Sequence, residues 1–170
     1  GDFDSVLPFL ERALEERPND PKILNYYGYF LLTRPSSGGQ EMEKASRAIE
    51  KAVFSSPANP YYLDSYGWSF VRRGEESKDA GLLEMSKGVR LLELARSLSP
   101  QNAVISEHLA SAYWSVGRCR EAMFEWQKSL RLFDSDPGKY KGELSRAYIM
   151  ERIKDGHGAE VAGAEDQSCD

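Results

Sequence analysis

Apolar residues recur along this chain at three- and four-residue intervals almost throughout, and no segment alternates apolar and polar for long. That pattern predicts helices and no strands. Val6, Leu7, Leu10, Ala13 and Leu14 share one face of a first helix. Ser5 is suited to cap it, Pro8 would fall in its first turn, and Pro18 ends it. Asp20 followed by Pro21 reads as a cap and a first helical residue, opening a second helix over residues 21–33. The segment RPSSGGQ from Arg34 reads as a loop. A third helix is expected over 41–55, ended by Pro57, and a fourth over 60–73, with Gly74 just past its end. After the polar run EESKD come helices over 79–99, over 102–116 (capped by Asn102 and closed by Gly117), over 119–132 and over 139–154. The Gly-, Ala- and acid-rich stretch from Gly156 is expected to be a flexible tail.

These helices are not independent of one another. A small residue followed five positions later by a helix breaker returns four times: Ala13 and Pro18, Ala52 and Pro57, Ala95 and Pro100, and Ser129 and Asp134. An aromatic or small-residue segment follows each of the first three breaks: NYYGYF, DSYGWSF and EHLASAYW. Self-similarity of this kind marks a repeat architecture, in which each unit buries its apolar face on the next.

The segment 103–136 has the length and register of a tetratricopeptide repeat and resembles that family. It carries Leu109-Ala110, Tyr113, the turn residue Gly117, Ala122, Trp126, and Ser129 and Asp134 in place of the usual Ala and Pro. The unit at 60–100 matches through Tyr66-Gly67, Phe70, Gly74, Gly88, Leu92, Ala95 and Pro100, with about nine extra residues near its turn. The unit at 21–57 matches through Tyr27-Gly28, Leu31, Ala45, Ile49, Ala52 and Pro57, with about five extra. Residues 2–18 match only the second helix of a repeat, and 139–154 resembles a terminal capping helix. The resemblance implies an all-α, right-handed superhelical array of antiparallel helix pairs, forming one domain over 1–155 followed by a tail over 156–170. It also implies that Gly28, Gly67 and Ala110 face Ala45, Gly88 and Ala122, so that paired helices approach closely. Several runs are similar to repeats of large alphaproteobacterial proteins of this family, many of them exported, which favours a bacterial periplasm or cell envelope by analogy and leaves the cytoplasm as the alternative. The incomplete first repeat suggests an excised piece of such a protein.

The resemblance also implies a function. Members of this family bind peptides or partner domains on a concave wall built mainly from the first helix of each pair. Carried onto this chain, the wall comprises Lys22, Asn25, Tyr29 and Leu32, then Tyr61, Asp64, Trp68 and Arg72, then Glu107, Ser111 and Trp114. Tyr29, Trp68 and Trp114 would point into one trough. The lysine and asparagine clamp that some members close on a terminal carboxylate is not reproduced. Tyr29 and Ser65 stand where two asparagines are needed, and Val104 replaces a lysine. With Asp64 and Glu107 in the trough, an apolar or mildly basic ligand is the better expectation. The competing reading is structural: self-assembly, or packing on a larger protein or enzyme, through the uncovered face of residues 3–14.

Charge adds one distinction. The chain of 170 residues has a net charge of −5, of which the tail after Asp155 supplies −4. A nearly neutral body lacks the basic face that nucleic-acid binding requires, and no run approaches the ~20 apolar residues of a membrane span. The sequence shows no catalytic, cofactor or metal motif. His108 reads as a partly packed helical histidine, Gly38-Gly39 lacks the Lys-Ser/Thr that would complete a phosphate loop, and Cys119 and Cys169 are too few and too far apart to define a disulfide framework. Arginines on either side of Cys119 would lower its pKa if its thiol were free.

Overall fold

In a computed structural model, residues 3–34, 38–77, 81–140 and 142–161 are described, and every regular element among them is helical. In chain order these are α1 (Phe3–Glu16), α2 (Pro21–Thr33), α3 (Gly39–Ser55), α4 (Pro60–Glu76), α5 (Gly81–Leu98), α6 (Ala103–Ser115), α7 (Cys119–Ser135), a short 3-10 turn (Pro137–Tyr140) and α8 (Arg146–Val161). The helices pair as α2 with α3, α4 with α5 and α6 with α7, and α2, α4 and α6 also touch one another in series. The chain is an alpha-alpha superhelix.

Local chemistry sets most of the helix starts. The carboxylate of Asp20 accepts from the N–H groups of Lys22 and Ile23, and Asn102 does the same for Val104 and Ile105. Asn59 accepts from the N–H of Tyr61 ahead of α4. Each cap satisfies donors that a helix start leaves bare. Gly117 takes a φ of 78°, the left-handed turn that reverses the chain between α6 and α7.

Close approach within pairs depends on missing side chains. A Cβ built on Gly28 would stand 2.7 Å from the Ala45 carbonyl oxygen, and one on Gly67 would stand 2.9 Å from that of Gly88. Ala110 and Ala122 are both fully buried in the third pair. Around these contacts Leu92, Val71, Trp126 and Ile149 fill the space between pairs, each stabilising the fold by roughly 1.5–3 kcal/mol through burial.

The structure departs from expectation in four places. α1 begins at Phe3, so Pro8 lies inside the helix rather than in its first turn and removes one backbone hydrogen bond. The described start of α3 at Gly39 takes up part of the expected loop, of which residues 35–37 lie outside the described residues. Gly74 does not end α4. The extra residues of this unit lengthen both of its helices, which cross where a Cβ on Gly74 would stand 2.7 Å from the Gly81 carbonyl oxygen. The C-terminal region is a 3-10 turn and then a helix, not one helix. Tyr140 is buried, with its hydroxyl donating to the Gln101 carbonyl, and Gly142 at φ 86° breaks the chain before α8. α8 then runs past the boundary expected at 155, because Gly156 packs against the Met123 side chain. Residues 162–170 of the expected tail lie outside the described residues.

Candidate functional site

The inner face of the superhelix is fixed by one side chain that spans three helices. His108 of α6 is 4% exposed. Its Nδ1 lies 3.0 and 2.9 Å from the two carboxylate oxygens of Asp64 on α4. Its Nε2 lies 3.3 Å from the Tyr29 hydroxyl on α2. Its ring stacks on Trp68, with centroids 4.7 Å apart and planes 10° from parallel. A residue of α6 can reach α2 only on the side where successive first helices converge, so this cluster lies on that side of the array.

The charges here act on one another. Burial is the largest influence on His108 and by itself would push its pKa down. The charge and hydrogen bond of Asp64, followed by the charges of Glu107 and Glu143, outweigh burial and raise it. The Tyr29 phenol is pushed far up by burial and by Asp64, Glu107 and Glu143. Tyr29, His108 and Asp64 thus form a hydrogen-bonded line, but a nucleophile needs its proton loosened and this phenol holds its proton more tightly than usual.

Glu107, one residue before His108, is also buried. Its Oε1 accepts from the Ser111 hydroxyl at 2.7 Å, and its Oε2 lies 4.0 Å from His108 Nε2. Arg72 pairs with Glu75 at 2.9 Å, and Ser115 of α6 donates to that same glutamate at 3.4 Å. Tyr148 of α8 borders this side. Its phenol is pushed up by burial first and then by Glu107, while the Ser111 hydroxyl works the other way.

The wall residues expected from the sequence therefore divide into groups. Tyr29, Asp64 and Trp68 meet at His108, and Glu107 and Ser111 stand beside them. Arg72 lies at the edge. Tyr61 and Lys22 are exposed farther along the first helices. Asn25 is buried, with its Oδ1 lacking a hydrogen-bond partner among the described residues. Leu32 is a correction: it is 2% exposed and belongs to the core with Leu31, Met42 and Ile49, so it offers no surface. Trp114 is half-buried and leans on Trp126, centroids 5.4 Å apart. Cys119 is disulfide-bonded, which removes the free thiol considered above. The chain's other cysteine, Cys169, lies outside the described residues.

Sequence reasoning missed His108 as the centre, and it missed Glu143 and Tyr148. Residues 103–110 of α6 are all buried, so a histidine there needs polar partners. A long unbroken stretch of inner-helix residues was the available signal.

No family model matches the chain, and no curated protein matches it. Solved structures do. TTC0263, a thermophilic TPR protein in Thermus thermophilus, shares 18% identity at a TM-score of 0.67, covering 95% of this chain and 89% of that one. MamA shares 18% identity at a TM-score of 0.53, covering 98% and 93%. This chain has the tetratricopeptide-repeat fold.

Proposed function

We propose that the chain is a non-catalytic interaction module that seats a peptide or a partner domain in its concave trough. The observation that carries this reading is the accessible aromatic wall beside a fixed polar floor. Tyr29 and Trp68 are only half-buried and Tyr148 is 42% exposed, while Asp64 and His108 are locked beneath them. Large, rigid side chains of this kind supply contact area at small entropic cost. The helices that hold them are already folded, so binding would order little backbone. A pull-down with the wild type and a Tyr29→Ala/Trp68→Ala double variant tests the reading, with circular dichroism showing that the variant stays folded. A partner captured by the wild type and lost by the variant is expected. A partner retained by both would move the function elsewhere.

One observation favours a second reading. On α1, Phe9 is 75% and Val6 is 42% exposed, an apolar face suited to self-association or to packing on another domain. A mass that rises with concentration, and ceases to do so in Phe9→Ser, would support it. A monomer at high concentration would count against it.

A further inference from the structure

Around His108 there are more carboxylates than cations to meet them. Arg72 is held by Glu75 at 2.9 Å, Arg152 by Asp155 at 3.5 Å and His108 by Asp64 at 2.9 Å. Glu107 and Glu143 then have no lysine or arginine partner among the described residues. Glu107 is the more costly of the two. Its side chain is 9% exposed, its Oε1 has one neutral donor in Ser111, and its Oε2 has no hydrogen-bond donor among the described residues, since 4.0 Å to His108 is too long for one. A carboxylate with so little exposed surface and one neutral donor is costly to hold. On α2, the buried Oδ1 of Asn25 is a second acceptor without a donor among the described residues. Near Glu107, Tyr148 already carries the Arg152 guanidinium 5.5 Å from its ring centroid, and Trp68, one face of which stacks on His108, and Tyr29 offer aromatic surface to an apolar stem.

We infer that the segment bound in the trough carries a lysine or arginine whose cation is taken by Glu107, with its stem against the aromatic wall. The inference rests on the concave-trough reading above and adds the chemistry of the partner. The unmet charge also excludes acidic segments, which would set like charges together in a poorly solvated site.

A random peptide library displayed on phage, selected on the intact chain, tests this directly. The selected sequences are expected to share a lysine or arginine. A synthetic peptide from the pool should lose about tenfold or more in affinity in either of two exchanges: Glu107→Gln in the protein, or that basic residue to norleucine in the peptide. The peptide-side exchange remains decisive if Glu107→Gln folds poorly. A pool without basic enrichment, or affinities unchanged by either exchange, overturns the inference. Peptides that bind without a basic residue but are lost with Trp68→Ala would overturn the cation while leaving the trough reading intact. Peptides indifferent to Trp68→Ala as well would overturn both.

Discussion

The imidazole of His108 lies flat on the indole of Trp68 and turns its Nδ1 to both oxygens of Asp64, at 3.0 and 2.9 Å. One ring thus ties three repeats together, and the inner surface depends on its protonation. Its folded-state pKa is raised above the ordinary value of 6.5. The stability it contributes is therefore fully present below that value and is lost as pH rises through the folded pKa. Asp64, Glu107, Glu143 and the Tyr29 hydroxyl are the groups that face it. Urea midpoints should fall as pH rises above 6.5 in the wild type and change much less in Asp64→Asn, which should itself cost about 3 kcal/mol below that pH. Parallel pH curves for the two proteins would contradict this.

Helix approach gives an opposed pair of predictions. At Gly28 a Cβ would press on Ile49 and on the Ala45 carbonyl, whereas at Gly39 nothing among the described residues lies within 4 Å. Gly28→Ala should destabilise by about 1–3 kcal/mol. Gly39→Ala should be neutral or stabilise by up to about 1 kcal/mol, since it only restricts the unfolded chain. Thermal melts of the two variants measure both.

Ion pairs should differ by burial. Arg96 donates to Glu125 at 2.9 Å, with the side chains 13% and 9% exposed, whereas Arg12 and Glu16 are 78% and 63% exposed. Glu125→Ala should cost about 3 kcal/mol, because it strands a buried guanidinium. Glu16→Ala should change stability by less than about 0.5 kcal/mol, with salt screening what remains. Chemical denaturation at low and high ionic strength distinguishes the two cases.

The local code of this fold was legible because it acts over a few residues. Asp20 and Asn102 cap where their spacing to the apolar run says they should, and Gly28 and Gly67 meet the small residues of the paired helix. Ser129, standing where the family usually has alanine, gives its hydroxyl to the Ala103 carbonyl at 2.8 Å, a role its neighbours do not announce. The site was less legible because its contacts are distant in sequence. His108 reaches Asp64 across 44 positions and Tyr29 across 79. The periodicity of α6 alone places such a residue on a helix but not beneath two others. The C-terminal region was misread for a related reason: Tyr140 follows helical spacing, yet its hydroxyl is drawn to the start of α6, where Gln101 accepts from it and the Ala103 N–H donates to it at 3.4 Å.

The central claim, that the concave trough is the working surface, is tested most directly by nitrogen-15 NMR of the three indole groups during titration with a selected peptide or captured partner. Trp68 and Trp114 are half-buried, while Trp126 is 1% exposed in the core. The account predicts large shifts at the Trp68 indole, smaller ones at Trp114 and little at Trp126. Saturable binding that moves none of these indoles, but perturbs amides around the exposed Phe54 and Phe124, would contradict it.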